Sequence, residues 1–215
     1  MSKIKDLIQQ HCPNGVEYKK LGEVCEIKRG RGMSKSVKNP QATFPIILYG
    51  ELYTTYGNYI DTIYSFASEK CVKTALKVYR DSILLPLSST TAKAQIGKAS
   101  VLKMGCCYLG GDALALIPNR SINPDFLMYF MNGSAFEYRK MKCVKGTTIR
   151  HLNPNQMAEI EIPIPPMEVQ EEIVRILDTF SALTAELEAE LEARKKQYQY
   201  YRDKLLSFEN LNGGV

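Results

Sequence analysis

Apolar and polar positions divide the chain into three stretches of different rhythm. Residues 1–11 (MSKIKDLIQQH) read as a short amphipathic helix, ended by Pro13-Asn14-Gly15. Short β-type runs follow at 24–28, 45–49, 58–63, 82–85, 95–102, 106–109 and 112–117, each β-branched or apolar and bounded by Gly, Ser or Pro. Between them lie RGRGMSKSVKN (29–39), GELYTTYGN (50–58) and LGGDA (109–113), which read as loops, the last as a plain tight turn. Helix then takes over. Asn123 is a cap, Pro124 suits a first turn, and Phe126, Leu127, Phe130 and Met131 follow at helical spacing. Gly133-Ser134 interrupts it, and a second short helix runs to about residue 142. KGTTIRHLN (145–153) reads as a loop, 159–164 alternates as a strand, and PIPP (163–166) stops regular structure.

Beyond Pro166 the rhythm changes. About forty residues contain neither Gly nor Pro, and Ile173, Ile176, Phe180, Leu183 and Leu187 recur at a 3-4-3-4 spacing. The pattern slips by one residue at Leu191 and resumes through Tyr198, Tyr201, Leu205 and Phe208. This is a heptad stripe with a discontinuity. A helix of that length reaches about 60 Å, and its stripe needs a partner helix to leave water. The predicted fold class is α+β: a mixed β/α domain over 1–166, followed by one long coiled-coil helix over 167–215.

Charge sharpens that division. The net charge of +5 combines 22 Lys/Arg against 13 Asp/Glu in residues 1–166 with 6 against 10 in residues 167–215. A body of net +9 fits a polyanionic partner such as DNA or RNA. No run approaches the roughly 20 apolar residues of a bilayer span, and the first residues lack a signal-peptide pattern, so a cytoplasmic protein without a membrane partner is expected. The six cysteines form no Cys-x-x-Cys pair, and no metal site is expected.

Catalytic constellations are thin. Cys143 and His151 invite a nucleophile–base pair, but no orienting acid lies near them, and His11 is the other histidine. Asp125 with Glu137-Tyr138-Arg139 echoes a metal nuclease poorly, since arginine stands where lysine is needed. Asn153-Pro154-Asn155-Gln156 does not match a methyltransferase tetrapeptide, and no Walker loop is present. No catalytic residue is assigned.

Binding chemistry is richer. In KGTTIRHLN, Lys145 and Arg150 are phosphate counter-charges, Gly146 lets backbone approach closely, and Thr147 and Thr148 bring hydroxyls. Such groups hold nucleic-acid phosphates in register. Two further polar loops put Tyr53, Thr54, Tyr56, Thr90, Thr91 and Lys93 forward as residues nearer the bases, and RGRG adds Arg29 and Arg31.

Several segments, taken in order, resemble one known family. PNGVEYKKLGEVCEIKRGRG, FPIILYGELYTTYG and SILLPLSSTTAKAQIGKASVL are followed by INPDFLMYFMNG, KGTTIRHLN and EIPIPPMEVQEEIVRILD. This order is similar to that of DNA-specificity (S) subunits of type I restriction–modification systems. The resemblance implies a target-recognition domain that reads double-stranded DNA through loops, and a spacer helix that packs antiparallel and docks modification subunits. Those partners would carry S-adenosylmethionine and methylate adenine, and a separate restriction (motor) subunit would cut; the specificity chain itself would be non-catalytic and bind no cofactor. One departure is that family members carry two recognition domains and two spacer helices, whereas this sequence shows one of each. Two copies pairing their helices would rebuild the two-domain reader and favour a bipartite palindrome. Ile173, Ile176, Phe180, Leu183, Leu187, Leu191, Tyr198, Tyr201 and Leu205 would line that pairing. The competing readings are a self-sufficient DNA nuclease and a protein-binding coiled-coil adaptor.

Overall fold

The computed structural model describes residues 2–90 and 96–208, and the chain separates into two compact units, Met1–Val174 and Arg175–Val215. The first unit is built on a five-stranded sheet. Its order is Cys25–Arg29, Ala113–Pro118, Ile83–Pro86, Ser100–Leu102 and Tyr59–Ile60, with antiparallel neighbours except for the last, parallel pair. Alternation along the strands sends side chains to opposite faces, and here both faces are dry. Ile83, Leu85, Leu114, Leu116 and Val101 enter one core cluster, while Leu84, Ala113, Ala115 and Leu102 enter a second. This explains the continuous apolar runs ILLP and ALALIP, which a half-exposed sheet would have broken with polar residues.

The first core is closed by helices. Phe126, Leu127, Met128 and Met131 come from Pro124–Asn132, and Phe136 from Ser134–Met141. Asn123 caps the first of these, its side-chain oxygen accepting from the amides of Asp125 and Phe126 with Pro124 in the first turn. The second core is closed by a four-stranded sheet, ordered Ser65–Ala67, Phe44–Ile47, Cys106–Leu109 and Leu76–Tyr79. A small third cluster, including Ile46, Leu48, Ala67 and Val72, covers the outer side of that sheet. Mixed α/β layering, with a long C-terminal helix, agrees with the fold class read from the sequence.

Several local expectations are corrected. The stretch 58–63 keeps only Tyr59–Ile60 as strand, and 95–102 only Ser100–Leu102 among the described residues. GELYTTYGN is not all loop: Glu51–Thr54 is a helical turn, with Leu52 fully buried in the second core. KGTTIRHLN is a hairpin, since Val144–Lys145 pairs with Arg150–Leu152. Strand Glu17–Lys20 was not expected from EYKK, which lacks apolar alternation. It is set by its partner, pairing antiparallel with Glu161–Ile164 in the register Tyr18↔Pro163 and Lys19↔Ile162.

The helix Met167–Leu206 begins inside the first unit, where Val169 and Val174 are buried. Gln170, wholly buried, fixes its start. The Gln170 amide donates to the carbonyls of Pro165 (2.7 Å) and Ser121 (3.1 Å) and accepts from the Asn123 amide (2.7 Å). A buried side-chain amide is tolerated because all three bonds are made. Ile173 packs against the first core, which removes it from the set proposed to line a helix pairing. Ile176 is half-buried, whereas Phe180, Leu183, Leu187, Leu191, Tyr198, Tyr201 and Leu205 are exposed. No helix among the described residues is long and apolar enough to cross a membrane.

Replacing Gln170 by Ala leaves the buried Pro165 carbonyl without its donor and removes two part-buried bonds, to the Ser121 carbonyl and from the Asn123 amide. Urea unfolding should show a loss of about 2–4 kcal/mol; a loss below about 0.5 kcal/mol would mean that Gln170 does not anchor the helix.

Candidate nucleic-acid interface

One end of the five-stranded sheet gathers most of the polar loops. Strand Ile83–Pro86 continues through Leu87 into Ser88–Ser89. Leu87 is the junction: its amide donates to the Asp112 carbonyl at 2.7 Å, and its own carbonyl accepts from the Leu152 amide at 2.8 Å. Beyond it the hairpin attaches, with Arg150 opposite Ser89 and His151 opposite Ser88. The order Lys145, His151, Ser88 is therefore a small three-stranded sheet. Its hairpin turn depends on Gly146. This residue has φ +97°, and a Cβ there would lie 2.1 Å from the Ile149 carbonyl oxygen. Lys145, Thr147, Thr148 and His151 are exposed at the turn, and Arg150 is half-buried.

On the other side of Leu87, the RGRG and LGGD segments interlock. The Gly30 amide donates to Ala113 and the Gly111 amide to Gly32. A Cβ on Gly30 would sit 1.9 Å from the Gly110 carbonyl oxygen, so LGGDA is a backbone crossing and more than a plain turn. Asp112 adopts φ +57°, and its carboxylate takes the Arg29 guanidinium at 3.0 Å. Arg29 is thus partly neutralised, while Arg31 stays exposed one turn beyond.

The third contributor is the turn Glu51–Thr54. The Glu51 carboxylate, 8% exposed, accepts from the Leu48 amide (2.8 Å), the Lys38 ammonium (2.6 Å) and the Ser65 hydroxyl. This buried charge is held by three donors and stitches the basic 33–38 segment to the turn. Tyr53 then donates its hydroxyl to the Ser88 carbonyl at 2.8 Å, tying the turn to the strand that carries the hairpin.

The residues put forward from sequence are therefore not equivalent. Lys145, Gly146, Thr147, Thr148, Arg150, Thr90, Arg29 and Arg31 meet at this end of the sheet, and Thr54 is exposed beside it. Tyr53 supports the site through Ser88. Tyr56 is a core residue, 5% exposed and stacked on Tyr64 at 6.1 Å, which corrects its placement near bases. Thr91 and Lys93 lie outside the described residues. Glu51, Lys38 and Ser88, absent from the sequence reading, do the positioning. Their signal was a lone acid between Gly50 and Leu52, unreadable before Leu48, Lys38 and Ser65 are known to surround it.

Cys143 and His151 are not arranged as a nucleophile and base. The Cys143 thiol is buried, points at the Arg139 carbonyl (3.8 Å), and has its pKa raised by burial. A thiol so placed holds its proton. No group of three or more His, Cys, Asp or Glu able to hold a metal occurs among the described residues.

A family profile described as the type I restriction modification DNA specificity domain matches residues 13–194. A Mycoplasma pneumoniae protein named as a type I specificity subunit is 32% identical over 198 residues, covering 90% of this chain and 48% of that protein. The specificity subunit of a type I restriction enzyme from Escherichia coli is 62% identical over 56 residues, covering 24% of this chain and 14% of that protein. A solved chain from a study of assembly and conformational transition in the type I R-M system superposes with TM-score 0.70 at 20% identity. It covers 96% of this chain and 52% of the other. The HsdS subunit from Thermoanaerobacter tengcongensis gives 0.59 at 22% identity, over 86% and 44% of the two chains. The chain thus spans about half the length of the first of these relatives and of both solved chains.

Burial raises the pKa of Tyr53 and Tyr56 from 10 to about 12, and that of Cys25 and Cys107 from 9 to about 12. The unfolded chain releases these protons first, so the stability they confer is complete below about pH 9 and fades as pH climbs to about 12. Melting temperature should fall steeply above pH 9, with two of the 13 tyrosines ionising at 295 nm only as the protein unfolds. A smooth ionisation of all tyrosines near pH 10 in the folded state would contradict this.

Proposed function

The chain belongs to the type I restriction modification DNA specificity domain family, and on that premise we propose that it reads duplex DNA with the hairpin and the loops beside it. The observation that carries this reading is the convergence at Leu87. Basic and hydroxyl side chains from segments far apart in sequence meet at the end of one rigid sheet. Lys145, Arg150 and Arg31 meet phosphates in this reading. Thr90, Thr147 and Thr148 bring short hydroxyls that can reach a backbone or a base edge, and Thr54 adds another from the turn that Tyr53 ties to Ser88.

Residues 1–166 are the reader and 167–215 the spacer. Two chains join through the exposed helix stripe, rebuilding a pair of identical readers whose target is a bipartite palindrome. The chain itself contributes no chemistry and no cofactor. Modification subunits carrying S-adenosylmethionine methylate adenine at the site it selects, and a restriction subunit cuts within the same complex. The setting is the cytoplasm, where DNA is available to all of them.

The decisive experiment maps methylated adenines in DNA from cells that co-express this chain with its modification subunit. A bipartite palindromic consensus is expected; a single asymmetric half-site would overturn the two-reader arrangement. Replacing Lys145 by Ala should weaken binding equally across duplex sequences and reduce the slope of log K against log salt by about one. A changed base preference would instead make Lys145 a base reader. Replacing both Leu183 and Leu187 by Glu should halve the mass seen by light scattering while the melting temperature of the first unit stays put.

A further inference from the structure

His151 takes no part in a nucleophile–base pair, yet the fold holds it at the centre of the small three-stranded sheet. It is one of two histidines in the chain. On strand Arg150–Leu152 it stands opposite Lys145 on one side and opposite Ser88 on the other. Residues directly opposite in a sheet share a face, with Cβ atoms about 5 Å apart. Lys145, His151 and Ser88 therefore form a row across three strands, and the first two are exposed. The neighbours of His151 in sequence alternate to the other face, where Leu152 is buried in the first core and Arg150 is half-buried. Among the described residues, the charged group facing His151 is thus Lys145. The strand Ser88–Ser89 brings hydroxyls and no charge. Two residues back along the Lys145 strand, the Cys143 thiol is turned to the Arg139 carbonyl at 3.8 Å.

We propose that Lys145 and His151 clamp one DNA phosphate, and that binding takes up a proton on the His151 imidazole. This rests on the DNA-reading function above and adds a residue and a proton to it. With a neutral imidazole, the row offers a phosphodiester one cation and one N–H donor. With an imidazolium it offers two cations, and charge-assisted hydrogen bonds are the stronger kind. Two cations opposite each other on a sheet repel; a phosphate between them turns that repulsion into attraction. The bound anion therefore favours the protonated ring, and the proton favours the anion by the same factor, because the coupling is reciprocal. A ring nitrogen takes the proton from solvent, and no bond in the DNA changes. Histidine is the side chain that ordinarily changes charge between about pH 5 and 8, and a phosphodiester stays anionic throughout. The grip accordingly tightens as pH falls through that window.

Fluorescence anisotropy of the full chain with a random-sequence duplex at fixed ionic strength tests this, at about pH 5.5 and about pH 8. The unsubstituted chain should bind about fivefold more tightly at the lower pH, the scale of one exposed ion pair. His151→Asn keeps a side-chain N–H donor and cannot titrate, so it should match the unsubstituted chain at the higher pH and lose the gain at the lower. His11→Gln should keep the gain. Calorimetry in two buffers of different ionisation enthalpy should find proton uptake on binding, absent in His151→Asn. An affinity flat in pH, or a pH dependence that survives in His151→Asn, overturns the proposal. So does an equal loss at both pH values with a lower melting temperature, which would make His151 a structural residue. At the lower pH, the loss in Lys145→Ala combined with His151→Asn should differ from the product of the separate losses; a simple product would put the two groups on separate phosphates and overturn the clamp. If the unsubstituted chain binds duplex DNA at neither pH, the DNA-reading function itself falls, and the clamp with it.

Discussion

The strand from Ile83 to Pro86 has to be dry on both faces and then carry on into polar surface, and the rest of the first unit follows from meeting both demands. Its four residues are buried and contribute to two cores. One core is closed by helices and the other by a second sheet. At Leu87 the same backbone leaves the sheet, still hydrogen-bonded on both sides. No slack separates the packed interior from the hairpin. Deep packing therefore fixes Ser88, Ser89 and Arg150 almost as firmly as it fixes Leu84.

That continuity matters for the reading proposed above, in which this surface grips a polyanion. Loops that must be ordered on binding lose affinity to conformational entropy. Here Tyr53 and the Glu51 carboxylate hold the neighbouring turn in advance, and Gly146 and Gly30 let backbone segments cross where any Cβ would collide. The acids close to this surface are already engaged: Glu51 with Lys38, and Asp112 with Arg29. They organise the basic groups and leave Lys145 and Arg31 facing water.

The C-terminal helix obeys the opposite logic. Its first turns are anchored by Gln170, Val169 and Val174, but from Phe180 onward its large apolar residues are exposed. That exposed apolar face is the main feature of the second unit.

Much of this was legible in the sequence because it depends on short-range rules. The heptad stripe, the caps at Asn123, the runs ILLP and ALALIP and the basic loops all follow from periodicity, local hydrogen bonding or composition. The order of motifs points to the family without any tertiary contact. What the sequence could not determine is which distant segments meet. EYKK is a strand only because residues 161–164 lie beside it. Tyr56 and Tyr53 look alike in GELYTTYGN, yet one ring is core and the other braces Ser88. Ile173 fits the heptad as well as Leu183, yet the first core claims it. Local pattern fixes how a residue can be buried or bonded; only the tertiary arrangement decides which partner, many residues away, takes it up.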